Sequence, residues 1–378
     1  MPDVSIDTWA IELNQAIPHL NKQVNDTTVR KRLWLAMMKK RGKIRAGVAG
    51  SISEMNPIDW KTAPVEDLDE TTNPVYVPRD YLKWSSYDWK GKHVTDAMSY
   101  MEFLKLKDSP NTIVDRRLRI MKKQYAALEQ WIGKQLYTDS TATGHTRDFD
   151  GIETACAALT GEVLTGDIVA VPNGTYQGIS CALAQSGSWS ADLTTSPNHY
   201  INTDWPDGQG DPDYCYRAPI LANWSSNAWG TEKTTWESNC QRVISRCATW
   251  IRNTMSSEST GKSLFCMLSN DLMAGFKNSL RASNLILTPH KEAETLGFGD
   301  VLNFEGAGIQ SEPECPVNTG YIVDLDDVEL NFITPEMIHA FSVFNQESDL
   351  MWKWLAVTAG NLTLDPRRVC KMHNFTGD

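Results

Sequence analysis

The clearest pattern in the chain is helical. From Val114, apolar residues recur at Leu118, Met121, Tyr125, Leu128, Ile132 and Leu136, with Arg116, Arg117, Arg119, Lys122 and Lys123 on the other side. Spacings of three and four place the apolar set on one face of an α-helix. Ser109 is positioned to cap it and Pro110 to take its first position. The pattern predicts a helix over 109–137, about 40 Å long and polar on one side, serving as a strut.

Weaker periods fill in the rest. Residues 28–41 (TVRKRLWLAMMKKR) read as a helix with a stripe of Val29, Leu33 and Met37, flanked by Trp34 and Met38. Residues 235–255 place Trp236, Cys240, Val243, Cys247, Ile251 and Met255 on one helical side, and 271–281 form another helix. SLFCML reads as a short buried strand. GYIVDL and VELNFI read as strands around a turn at Leu325 to Asp327, and a last strand-like run covers 354–364. Residues 56–108 include NPVYVPRDYLKW, whose prolines interrupt helix and whose short alternation suits an extended β-hairpin. The order of elements predicts an α+β fold with mostly antiparallel strands.

Composition narrows the class. With 378 residues, 41 % of them hydrophobic, the chain can bury a sizeable core in two or three domains. A net charge of −11 argues against a dedicated nucleic-acid binder, though not against a protein that encloses DNA without gripping it. The N-terminus has no secretory pattern and no apolar run reaches membrane-spanning length, so the expectation is assembly in the cytoplasm without a membrane. Eight scattered cysteines, none in C-x-x-C spacing, read as small buried hydrophobes.

Charge is uneven. The window from Arg30 to Arg45 holds eight basic residues and no acid, then runs into the Gly- and Ser-containing stretch RAGVAGSIS. It reads either as a solvated helix face or as an inward-facing arm. In the second reading Arg30, Lys31, Arg32, Lys39, Lys40 and Arg41 meet scaffold protein or DNA phosphates.

Catalytic motifs fail one by one. SSESTGKS lacks the first glycine of a phosphate loop and sits between a helix and a strand, the wrong order. The seven histidines show no zinc spacing. DWPDGQGDPD gathers Asp204, Asp207, Asp211 and Asp213 but does not meet the calcium-loop pattern. No G-x-S-x-G occurs. Fourteen tryptophans, five of them between Trp189 and Trp236 among acids, keep one enzyme class open. It is a carbohydrate-active enzyme with two carboxylates flanking the sugar.

Three blocks carry a resemblance. They are DWKGKHVTDAMSYMEFLK with the long helix, QLY and FDGIETAC; TYQGISCAL with WPDGQGDPDY and RAPILANW; and LAVTAGNLTLDPRRVCKMHNF. Together they resemble the major capsid proteins of tailed bacteriophages. The resemblance implies the capsid fold shared by tailed phages and herpesviruses, with no catalytic, cofactor or metal residues. It implies an N-terminal arm over 1–55 and an extended loop with the start of the peripheral domain over 56–108. The spine helix would cover 109–149, a mainly axial domain 150–340, and a C-terminal strand returning to the core 341–378. It further implies hexamers and pentamers of one chain, closing an icosahedral virion shell around double-stranded DNA held by non-specific contact. A portal and a decoration protein are implied partners. The chain reaches its basic helix within 30 residues, so scaffolding is expected from a separate protein or from a piece already removed. Tyr81, Trp84, Tyr87 and Trp89 are the expected contacts between subunits, and removing residues 60–104 is expected to leave a folded subunit that cannot assemble. A bacterial nanocompartment shell and a tail or head-completion protein are the non-enzyme alternatives.

Overall fold

The computed structural model describes residues 32–48, 53–59, 82–99, 101, 110–157, 169–170, 172, 174–181, 219–226, 229, 234–254, 264–283, 288–296, 298, 300–345 and 351–375. The first elements are helix α1 (Leu33–Lys40) and strands β1 (Ile44–Ala46), β2 (Ser53–Asp59), β3 (Leu82–Asp88) and β4 (Lys90–Ser99). Helices α2 (Pro110–Gln135) and α3 (Ile152–Ala155) follow, then β5 (Val169–Ala170), β6 (Thr175–Tyr176), β7 (Ile179–Ser180) and β8 (Ile220–Asn223). Next come α4 (Trp236–Thr254), β9 (Leu264–Leu268), α5 (Asn270–Ala282) and α6 (Lys291–Thr295). The chain ends with β10 (Leu302–Phe304), β11 (Ala307–Ser311), β12 (Gly320–Asp324), β13 (Glu329–Phe332), β14 (His339–Asn345), β15 (Met351–Thr363) and β16 (Val369–His373).

A seven-stranded sheet in the order β10-β11-β9-β12-β16-β8-β5 divides two hydrophobic cores. Side chains on a strand alternate between faces, and here both faces are buried. Phe265 and Met267 of β9, Tyr321 and Val323 of β12, and Leu221 of β8 enter one core. Leu264, Cys266 and Leu268, then Ile322, Ile220 and Ala222, enter the other. This is why LFCML is apolar without a break. The second core is closed by α4 and α5, which present Trp236, Cys240, Val243, Cys247 and Ile251, and Leu272, Phe276 and Leu280. All seven cysteines among the described residues are free and buried.

The first core continues into a five-stranded sheet built around β15. One edge of β15 pairs with β4 over ten residues, from Lys90↔Gly360 to Ser99↔Met351. Its other edge pairs first with β14 and then with β13, and β1 joins β13 in parallel. Helix α2 crosses this sheet, with its predicted apolar face turned inward. Met121, Tyr125, Leu128, Ile132 and Leu136 are buried, whereas Lys122, Lys123 and Lys134 are exposed. Gln124 Nε2 donates to the Trp354 carbonyl at 3.2 Å, and the Tyr125 hydroxyl donates to that of Ile338 at 3.4 Å. Ser109 lies outside the described residues. Among the described residues nine strand pairings are antiparallel and three parallel, in line with the expected bias.

Two sequence expectations change. Helix α1 is no amphipathic surface helix, because Leu33, Trp34, Leu35, Ala36, Met37 and Met38 are all buried. The expected effect of removing 60–104 also fails on physical grounds. That cut takes out β4, which fills one whole edge of β15 and lies under α2. Within that cut, Leu82–Asp88 is also paired, with β2, and residues 60–81 lie outside the described residues.

Candidate functional site

The hairpin of β2 and β3 forms its own two-stranded sheet, in register from Ser53↔Asp88 to Asp59↔Leu82. Along β3 the exposure alternates: Ser85 and Tyr87 are buried, while Trp84, Ser86 and Asp88 are exposed. The backbone N–H of Ser86 donates to the Gln177 carbonyl at 3.0 Å. Gln177 and Gly178 form the two-residue turn between β6 and β7, both at positive φ (52° and 77°), the tight turn that matches strand twist. The root of the hairpin is thus fixed while its Trp84 face stays open.

The expected contact residues separate accordingly. Trp84 is 60 % exposed, an unusual position for an indole. Tyr87 is buried and meets half-buried Trp89 edge-on, with ring centroids 6.3 Å apart. Tyr81 lies outside the described residues.

A second open surface is the face of the β4–β15–β14 sheet turned away from α2. Trp354, Ala356 and Thr358 point toward the helix and are buried. Leu355 is half-buried on the other face, between its cross-strand partners Thr95 and Phe341. Phe341 is 39 % exposed, and with Thr95, Ala97 and Leu355 it lines a groove of about 650 Å³.

The basic helix behaves differently from its sequence reading. Arg30 and Lys31 lie outside the described residues. Arg32 is buried, pairs with Glu314, and lies 3.8 Å from Glu129 of α2. Its guanidinium packs on α2 at Gly133, where a side chain would collide with it. Arg41 reaches Asp326 at 2.5 Å. Arg32 and Arg41 are therefore internal ties of α1 rather than open charge. Lys39 and Lys40 are exposed, with Lys40 Nζ 3.3 Å from the Thr295 hydroxyl.

Buried acids complete the junction. Glu312 is 2 % exposed. Burial pushes its carboxyl up to about 7; Arg32 opposes the rise, Glu314 adds to it, and the Trp34 and Leu33 N–H groups donate to the carboxylate. At the start of β16, Arg368 meets both oxygens of Asp327 at 2.5 Å. Burial raises Asp327 to about 6 against that pairing. Shifted carboxylates often mark catalytic clefts. These two sit in packed junctions opposite arginines, which is structural use. Among the described residues no group of three His, Cys, Asp or Glu is placed to hold a metal. No described helix is long and apolar enough to cross a membrane.

The tryptophans also read differently in three dimensions. Trp229 and Trp236 are buried, and their indole N–H groups donate to the Asn223 and Leu272 carbonyls at 2.8 and 2.7 Å. They are core residues rather than sugar platforms. Trp189, Trp205, the Asp204 to Asp213 run and the Gly261-Lys262-Ser263 triplet lie outside the described residues.

The geometry defines an α+β subunit with two linked sheets, a separate hairpin and one long helix laid across the strand-β15 sheet. That architecture is the phage capsid fold. The capsid asymmetric unit of Cyanophage A-1(L) is similar to it with a TM-score of 0.55 and 13 % identity, covering 89 % of this chain and 92 % of that one. The capsid of a native GTA particle is similar at TM-score 0.49 and 9 % identity, covering 88 % of each chain. A virus-like particle from Pyrococcus furiosus is similar at TM-score 0.40 and 9 % identity, covering 94 % and 99 %. Only the first exceeds 0.5, and the fold assignment rests on it. No family model and no curated protein matches the chain.

Proposed function

We propose that the chain is the major capsid protein of a tailed phage, assembling as hexamers and pentamers into an icosahedral shell around double-stranded DNA. The observation that carries this reading is the capsid fold, matched across 89 % of the chain. A shell subunit needs several interfaces and no reactive group. The exposed Trp84 and the open sheet face at Phe341 and Leu355 supply apolar surface of the kind interfaces bury. On this reading the exposed Lys39 and Lys40, with Arg30 and Lys31, face the lumen and its DNA. Scaffolding, portal and decoration proteins are the further partners, and the virion is the destination.

Negative-stain electron microscopy with light scattering on the purified chain tests the proposal. Closed shells, or pentamers and hexamers, are expected. Nucleic acid inside the shells separates a capsid from a nanocompartment holding a protein cargo. A chain that stays monomeric at every concentration and cleaves polysaccharide would establish the carbohydrate-active alternative.

A further inference from the structure

Helix α4 carries Arg242 and Arg246 one turn apart. The guanidinium carbon of Arg246 lies 5.5 Å from the ring centroids of both Trp229 and Trp250. Trp229 is fixed at the end of β8 by its bond to Asn223, and its own carbonyl accepts from Arg242. Two indoles attract a cation through their ring quadrupoles but do not neutralise it. Burial lowers the affinity of Arg246 for its proton and the neighbouring Arg242 lowers it further, with only Cys247 acting in the other direction. Among the described residues, no carboxylate forms an ion pair with either arginine. What remains available is the N–H edge of the guanidinium, a fork that fits a carboxylate or a phosphate.

We propose that Arg242 and Arg246, backed by Trp229 and Trp250, form an anion contact that receives aspartates of the 204–213 segment from a second copy of this chain. The inference rests on the reading of the chain as a self-assembling subunit. Charge complementarity supports the occupant: DWPDGQGDPD carries four aspartates and no basic residue. In a ring, each copy would then give an acidic segment to one neighbour and take one from the other, a head-to-tail contact that closes by rotation. Tryptophan and arginine are the residues that dominate such contacts between proteins. Packaged DNA fits the site less well, because phosphate binding uses many dispersed cations and here two arginines stand one turn apart, one of them stacked on indoles.

The test uses the full chain with Arg246→Gln, a variant with all four aspartates changed to asparagine, and their combination. Light scattering reads the concentration at which particles form, and thermal unfolding reads the unassembled subunit. Each variant is expected to raise that concentration about tenfold, the effect of losing roughly 1.4 kcal/mol per subunit, and the combination is expected to add nothing more. Additive losses, or unchanged assembly, overturn the contact. Non-additivity in the melting of the unassembled subunit shows that the aspartates pair within their own chain and overturns the second copy. Normal particles with weakened DNA binding show a phosphate contact instead. If Arg246→Gln does not fold, Arg246→Lys keeps the charge without the fork and is expected to fall between the two. If the wild-type chain forms no particles without a scaffolding protein, a binding measurement replaces the assembly measurement. A labelled peptide of residues 201–216 that binds the wild type but not the Arg246 variant would still support the contact, and equal binding to both would overturn it.

Discussion

Replacing Glu312 by glutamine removes one titration from the junction of α1 and α2. The carboxyl lies beside Arg32 and Glu314, accepts from the first N–H groups of α1, and adjoins the phenol of Tyr137. Its ordinary value is 4.5 and burial pushes it up to about 7, so the folded chain favours the protonated form. The stability this gives is fully present below 4.5 and is lost as the pH rises through about 7. At about 1.4 kcal/mol per pH unit, that interval amounts to about 3 kcal/mol lost by pH 8. Glutamine stays neutral and keeps an oxygen for the Leu33 and Trp34 N–H groups. The variant should match the wild type near pH 5 and exceed it by about 2 to 3 kcal/mol at pH 8. Denaturant unfolding of the unassembled subunit across that range measures the difference, and comparing two variants cancels the other titrating groups. A difference that does not change with pH, or a variant less stable at pH 8, would refute the reasoning.

Three further outcomes are expected. Arg368→Met leaves Asp327 beside Asp324 and Asp365 without its cation and should cost about 3 kcal/mol at pH 7. Because Asp327 titrates near 6, the loss should shrink at pH 5, which denaturant unfolding at both values checks. Gly360→Ala sets a methyl against the Asn331 carbonyl and the Phe332 ring, so it should cost about 2 kcal/mol or more and speed amide exchange along β13. Trp84→Ala, on an open face, should change subunit stability by no more than about 0.5 kcal/mol yet raise the concentration needed for assembly, as read by light scattering.

Local periodicity explains what was legible in the sequence. Helix α2 repeats its apolar face over many turns, so one segment contains its own evidence. Strand β9 announces burial on both sides by five apolar residues in a row. Charge pairing was not legible in the same way. Arg32 and Arg41 sit in a run of like charge, and their carboxylate partners Glu314 and Asp326 are 282 and 285 positions away. A basic run therefore looks open until the fold brings acids to it. The aromatic residues near the hairpin posed a similar problem: Trp84 and Tyr87 are three positions apart on one strand, and the period of two sends them to opposite faces. Nothing in the spacing says which face meets the rest of the chain; in the fold it is the face of Ser85 and Tyr87. The Arg246 cluster was missed because Trp229 and Trp250 flank it from separate elements, one before α4 and one on it.

The pairing of β4 with β15 also has a direction. The hairpin feeds into β4 at Lys90, and β15 leaves toward β16 after Thr363, so both connections emerge at the same end of this antiparallel seam. Tension between the hairpin and the seven-stranded sheet would therefore peel the seam one rung at a time, beginning at Lys90 and Gly360, instead of loading all its rungs together. The chain pins that starting point with side chains: Lys90 holds Asp150 at 2.7 Å, and the Tyr176 hydroxyl takes the Leu364 N–H while donating to the Leu362 carbonyl, each at 3.1 Å. Peeling must break these fastenings before the first backbone rung can open.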